Sequence, residues 1–384
     1  MSKTTRTLLV ALLALAVLAL AFSSGYNLGA RHLPGAGPGL AEVNQAWQLI
    51  LHDYVDPTKL DTTKLSQAAI KGMVEALDDP YTAYLDTETY QLRMSSMEGK
   101  FDGIGAQVAT KDEQLVIIAP IADSPADRAG IRAGDIILAI DGQPTAGISL
   151  TEAVLKIRGT RGTPVKLLIQ HQDQPEPEEI EITRGEIKLT SVHWEMKGNI
   201  ADIQITHFSE STAPEMAPAL EAIIRAGASG IILDLRSNPG GLLQTVVDVA
   251  SYFIPQDVVV KVVDNEGRET VLTAGTQPVT TNLPMVILVD EFSASGSEVL
   301  SGALRDNGRA VIAGTTTYGK GSVNVMRQLT DGSGLVITTA RWLTPNGHLI
   351  EGKGLAPDYE IDPKGEAAIN WALDYLKKPR PDSG

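Results

Sequence analysis

Three serines at alternate positions, Ser293, Ser295 and Ser297, occupy the stretch EFSASGSE, and Lys320 sits 25 residues beyond Ser295 in the turn Tyr318-Gly-Lys-Gly. A serine hydroxyl becomes a nucleophile when a neighbouring base takes its proton. A lysine is such a base only when neutral, and burial lowers its pKa toward that state. Attack on a carbonyl places negative charge on oxygen, which unpaired N–H groups at a helix N-terminus stabilise. The chemistry open to this set is therefore acyl transfer.

The flanking residues supply the elements that must position it. Met285 to Val289 is an apolar run of the kind that forms a buried strand. Apolar residues from Glu298 to Leu304 recur at helical spacing, and Asn307-Gly308 is a C-terminal stop. Ala310 to Ala313 is a second short strand. Strand, turn, helix and strand make a right-handed crossover whose parallel strands are neighbours, so the turns at their ends lie close together. A similar unit precedes it. Ile200 to Ile205 reads as a strand, Ala213 to Ala226 as a helix and Ile231 to Leu235 as a buried strand. The turn Arg236-Ser-Asn-Pro-Gly-Gly241 then opens a helix over Leu242 to Phe253, and its glycines allow close backbone approach to a ligand.

Other readings compete for these residues. Gly314 to Lys320 matches the first part of a phosphate loop, but Gly321 lacks the hydroxyl for magnesium and a strand-like alternation follows. His207 and His348 are alternative bases for a Ser-His-Asp triad, although no sequence feature brings either to Ser295. The serines as mere helix caps leave the lysine spacing and the glycine turn unexplained.

Ser-Ala-Ser-Gly-Ser-Glu (293–298) followed by Tyr-Gly-Lys-Gly-Ser-Val-Asn (318–324) resembles the carboxyl-terminal processing, or tail-specific, proteases. The resemblance implies Ser295 as nucleophile and Lys320 as base. It implies oxyanion N–H groups from Gly296 and from Gly241, with Gly240 the close alternative. It puts Asn324 where the family carries a glutamine that orients the lysine, and Gly296 where alanine is usual. The fold implied is an αβ core of the ClpP/crotonase-like spiral type with an inserted β-rich domain. No metal or cofactor is implied.

That inserted domain is legible over residues 98–186. Ser124 before Pro125 is a helix N-cap, Asp141-Gly142 a hairpin turn, and Ser149 to Ile157 a helix among strands at Gln107, Gln114 to Pro120, Ile136 to Ile140, Val165 to Gln170 and Glu178 to Thr183. The module resembles a PDZ domain of the circularly permuted bacterial kind. The resemblance makes Gly103-Ile104-Gly105 the loop whose N–H groups take a peptide's terminal carboxylate, beside an open sheet edge for strand addition. It also makes Arg158 a point of coupling between this module and the core; the alternative is a solvated turn arginine.

The net charge of −15 argues against nucleic acid as a partner, and the absence of cysteine removes disulfides, thiolate metal sites and a cysteine nucleophile. Lys3 and Arg6 ahead of the apolar run Leu8 to Phe22 make residues 1–25 a signal peptide or membrane anchor, with the body outside the cytoplasm. A linker (26–39), a helical segment (40–97), the PDZ domain (98–186), the protease core (187–364) and a closing helix with tail (365–384) follow. Within the helical segment, helices are expected over 40–54 and 62–77, the second ended by Asp78-Asp79-Pro80. Gly72-Met73 with Leu77 to Leu85 resembles the helical segment ahead of the PDZ domain in the same family, and its plain reading is a helical hairpin. The expectation is a serine endopeptidase that binds substrate tails with apolar C-termini. The alternative is a peptide-binding scaffold with an inactive core. The sequence leaves open whether the protein is a homo-oligomer.

Overall fold

A computed structural model of the chain describes residues 39–111 and 113–378. The expected signal or anchor segment lies outside the described residues. The chain divides into two compact units at Ala69. In the first, α1 (Leu40–Asp53) carries apolar residues at helical spacing, and α2 (Thr62–Glu75) runs across the division.

The second unit begins with a turn at Asp78 to Thr82 and the strand β1 (Ala83–Leu85), then α3 (Thr87–Glu98). Both differ from the reading above. Leu77 to Leu85 is not part of a helical hairpin: Ala83 to Leu85 pair antiparallel with residues 334–336 of a core strand. α3 went unread because its sequence, TETYQLRMSSME, has no apolar stripe to announce a helix. Asp86 caps it by accepting the Thr89 N–H at 2.7 Å.

β2 (Lys100–Gly103) leads into the PDZ-like module. This comprises β3 (Ala106–Lys111), β4 (Gln114–Pro120), the one-turn α4 (Pro125–Arg128), β5 (Ile136–Ile140), β6 (Gln143–Pro144), α5 (Leu150–Ile157), β7 (Pro164–Gln170) and β8 (Glu178–Thr183). Its sheet runs β3-β4-β5-β7-β8, with β6 pairing β5, so β3 lies at an edge. Ile117, Ile137, Leu167 and Ile169 are fully buried in the module's own core. The chain leaves through β9 (Gly185–Lys188), which pairs with β2; entry and exit run side by side.

The remaining elements are β10 (Val192–Lys197), β11 (Ile200–Ile205), α6 (Thr212–Arg225), β12 (Gly230–Asp234), α7 (Leu243–Ala250), β13 (Val258–Asp264), β14 (Glu269–Thr273), β15 (Met285–Val289), α8 (Gly296–Asp306), β16 (Val311–Gly314), β17 (Ser322–Gln328), β18 (Gly334–Leu343), β19 (Tyr359–Glu360) and α9 (Gly365–Lys377). The central sheet runs β10-β11-β12-β15-β16-β19, parallel from β11 onward. Every residue of β12 and β15 is buried, which is why both read as continuous apolar runs. One face packs on α6, α7 and α8, the other on α9. Because β12, β15 and β16 are adjacent and parallel, the turns after them emerge at one edge, where open α/β sheets bind ligands. A second sheet, β1-β18-β13-β14 with β17 on β18, flanks that edge. The fold class is the mixed αβ core with a PDZ domain that the sequence led us to expect.

Candidate active site

The turns after β12, β15 and β16 carry the glycine stretch, the serine stretch and Lys320. The first two are stitched together by side chains. Asp290, at the end of β15, accepts the Ser237 N–H with both carboxylate oxygens, at 2.9 and 3.0 Å. Ser293 Oγ donates to the Leu235 carbonyl at 2.9 Å. Asn238 is wholly buried: its carbonyl accepts the Ala294 N–H and the Ser297 hydroxyl, and its Nδ2 donates to the Ile205 carbonyl at 2.7 Å. The two outer serines of the alternating trio thus serve the scaffold. The middle one lines a cleft.

Ser295 stands at the N-cap of α8 with φ 51° and ψ −110°, a left-handed conformation uncommon for any residue but glycine. Its backbone N–H donates to Glu298 Oε2 at 2.7 Å. The same oxygen accepts the Lys320 N–H at 2.9 Å, so the two backbone nitrogens lie no farther apart than those two bonds in line. Glu298 Oε1 accepts the Gly319 N–H at 2.7 Å and the Thr317 hydroxyl at 2.5 Å. Glu298 is wholly buried, and burial pushes its carboxyl above the usual range against four donors that favour the ionised form. One side chain therefore holds the serine turn and the lysine turn in register.

Ser295, Gly296, Lys320, Gly240, Gly241, Asn324, His207 and Arg93 line one cleft of about 610 Å³. Among the described residues there is no hydrogen bond between Ser295 Oγ and Lys320 Nζ. Burial lowers the Lys320 pKa, the Arg93 guanidinium lowers it further, and Glu351, Asp79 and Glu298 oppose them. The Gly240 N–H is taken by Asn238 Oδ1 at 2.8 Å. Among the described residues the N–H groups of Gly241 and Gly296 have no hydrogen-bond acceptor, which favours Gly241 over Gly240 as a free donor. Gly240 has φ 95°, and a Cβ there would meet the Gly296 nitrogen at 2.6 Å, so the position demands glycine.

Asn324 reaches the cleft, but its Nδ2 donates to the Tyr81 carbonyl at 3.1 Å and to Thr338 Oγ1 at 3.0 Å, not to Lys320. His207 also lines the cleft. Its Nδ1 faces Thr206 Oγ1 at 3.0 Å, its buried Nε2 is unpartnered, and burial lowers its pKa against the opposing charge of Glu215; among the described residues no carboxylate hydrogen-bonds to it. His348 instead stands near Thr344 in a C-terminal turn. The phosphate-loop reading fails, because β17 and not a helix follows Lys320. Sequence reasoning missed Glu298 as a bridge, Asn238 as a clamp, and Arg93 and Tyr81 altogether. The first two sit in motifs that were read for their neighbours. The last two come from a segment that no local pattern connects to the core.

In the PDZ-like module, Ile104 and Gly105 line an apolar groove of about 370 Å³ with Phe101, Val108, Ile118, Val154 and Ile157, between β3 and α5. Gly103 does not line it; it pairs with Gly185 in the ladder of β2 and β9. Gly105 has φ 77°, and its carbonyl accepts the Ile121 N–H and the Ser124 hydroxyl. Arg158 is half-buried rather than solvated. Its guanidinium lies 3.8 Å from the centre of the Phe101 ring, and Nη1 donates to Ser95 of α3 at 2.7 Å.

With this geometry in hand, three family models match the chain. Peptidase family S41 matches residues 199–361, a PDZ domain residues 116–171, and the activating protease CtpB N-terminal domain residues 27–89. The chain is 40% identical over 84% of its length to a protein of Staphylococcus haemolyticus named "Probable CtpA-like serine protease", of which it spans 64%, less than two thirds. It is 38% identical over 89% of its length to the carboxy-terminal processing protease CtpA of Bacillus subtilis, spanning 71% of that protein. A solved Bacteroides fragilis structure assigned to the S41 proteases superposes with a TM-score of 0.51 at 17% identity, covering 88% of this chain and 92% of that one; the likeness concerns the fold alone.

Proposed function

The chain belongs to peptidase family S41, and on that footing we propose that it is a serine endopeptidase of the carboxyl-terminal processing type, working through Ser295 and Lys320. Ser295 Oγ attacks the carbonyl carbon of the scissile peptide bond while neutral Lys320 Nζ takes the hydroxyl proton. The oxyanion faces the free N–H groups of Gly241 and Gly296. The proton on Nζ passes to the leaving amine as the C–N bond breaks. Water then attacks the acyl carbonyl while losing a proton to Lys320 Nζ, and as the C–Oγ bond breaks Nζ passes that proton to Oγ, which frees the acid product and restores the serine.

The observation that carries this reading is the shared oxygen. Glu298 Oε2 holds the backbone of both residues, so the nucleophile and the base belong to one rigid unit. His207 has no comparable support. The PDZ groove, with an edge strand on one side and apolar side chains along it, suits an extended peptide with an apolar C-terminus. Arg158 ties the end of the groove's helix to α3, whose other residues line the cleft; this supports coupling between groove and core. The basic and then apolar N-terminus supports a body carried out of the cytoplasm, anchored or released.

The test is hydrolysis of a peptide with an apolar C-terminus by the wild type, Ser295→Ala, Lys320→Ala and Lys320→Arg. Cleavage by the wild type alone is expected, since arginine stays protonated and cannot act as base. Full activity in either lysine variant would remove Lys320 from the mechanism. Peptide binding without wild-type cleavage would favour the scaffold.

A further inference from the structure

Lys320 Nζ lies 5.1 Å from the centroid of the Tyr81 ring, within the range where a cation is attracted to an aromatic face. No carboxylate forms an ion pair with this amine among the described residues. The ring is the group set against it. Tyr81 is itself gripped on both sides of its own backbone. Its N–H donates to Asp79 Oδ1 at 3.0 Å, and its carbonyl accepts Asn324 Nδ2 at 3.1 Å. Asp79 Oδ2 also accepts the Thr82 hydroxyl at 2.6 Å, and Thr82 Oγ1 accepts the Thr338 N–H at 3.1 Å from β18. The turn at 78–82 is thus clamped to the two strands that follow Lys320.

We propose that Tyr81 is the positioning residue for the Lys320 amine, its ring holding Nζ in the cleft and stabilising the ammonium that forms when the serine proton arrives. The proposal rests on Lys320 being the base. It also gives Asn324 a role at one remove: the amide steadies Tyr81, and Tyr81 steadies the lysine. A neutral ring suits a base that must alternate between two charge states. A carboxylate in its place would hold the amine permanently protonated, whereas a π face favours the cation only modestly. Burial and the negative charge of Glu351 hold the Tyr81 phenol above its usual pKa, so the ring is not a phenolate. The charged groups facing Nζ are Arg93 from α3, Glu351 from the C-terminal turn, Asp79 from the turn before β1 and Glu298 from α8. A change at Tyr81 leaves all four in place.

The experiment is the pH dependence of kcat/KM for peptide cleavage in Tyr81→Leu and Tyr81→Phe, with Lys320→Ala beside them. Tyr81→Leu is expected to lower kcat roughly 5- to 30-fold with little change in KM, and to move the rising limb about 0.5–1 unit to lower pH because the ammonium loses its support. Tyr81→Phe keeps the face and is expected to rescue both. A series of progressively fluorinated phenylalanines at position 81 keeps the shape while draining the face, so it remains informative if the leucine variant folds poorly. Rate and limb should then fall stepwise with fluorination. Phenylalanine failing to rescue, or fluorination without effect, would overturn the proposal for Tyr81 while an inactive Lys320→Ala leaves the dyad standing. An active Lys320→Ala would instead overturn the dyad and this inference with it.

Discussion

Glu298 shows how much of this site depends on one side chain. It ends the motif Ser-Ala-Ser-Gly-Ser-Glu and sits three residues after an N-cap serine, so a local reading makes it a capping-box partner. It does accept the N-cap N–H, and it also reaches 19 to 22 residues along the chain to Thr317, Gly319 and Lys320. Local periodicity carries no information about that second reach. All four of its partners are donors. Glu298→Gln therefore turns an NH₂ group toward buried donors that it cannot accept from, at a cost of about 1–3 kcal/mol for each unsatisfied group. We expect kcat to fall roughly 100-fold, with a lowered Tm, measured by peptide hydrolysis and thermal melting. A variant with wild-type turnover would mean the two turns hold register without it. The proposed nucleophile and base stood out because Ser293 to Glu298 and Tyr318 to Asn324 resemble a family's motifs; the residues alone gave a serine in a strand–helix turn with a lysine as candidate base. The part of Asn324 was not, because an amide's partners depend on which strand turns up opposite.

At the level of elements, three adjacent parallel strands explain the site. Their continuous apolar runs were plain in the sequence, and parallel pairing then forces the following turns to one edge. Helix α3 was invisible for the opposite reason. Its apolar residues Tyr90, Leu92, Met94 and Met97 form no single stripe, and its partners come from both the PDZ groove and the core. The glycine turn gives a sharp prediction at this scale. Gly240→Ala adds a Cβ at φ 95° against the Gly296 nitrogen. It should disturb the oxyanion donors and lower kcat on the order of 10²-fold, with KM little changed. An unaffected kcat would detach this turn from catalysis. Arg158→Ala removes the tie between α5 and α3. It should lower turnover of peptides long enough to fill both groove and cleft by about fivefold while sparing short ones, if the tie is worth one charge-assisted hydrogen bond. Equal losses on both would make Arg158 a packing residue.

For the molecule as a whole, the PDZ-like module hangs on the paired strands β2 and β9 and keeps its own core, so its groove is built independently of the cleft. Capping and hairpin signals made most of its elements readable. Pairing between distant strands, such as β2 with β9 or β1 with β18, was not readable, since nothing in either segment names its partner. If the groove takes a terminal carboxylate, a substrate ending in a C-terminal amide should show KM raised roughly ten- to hundredfold, with kcat nearly unchanged. An equal KM for acid and amide would mean the groove reads side chains alone.

The measurement that bears most directly on the whole account is the pH profile of kcat/KM for the wild-type protein. Activity should rise as the base loses its proton. Burial and Arg93 pull Lys320 down, so the rising limb is expected below the ordinary lysine value of about 10.4 and to shift with changes around Lys320. A limb abolished by His207→Gln and untouched by changes around Lys320 would assign the proton to an imidazole and contradict the lysine mechanism.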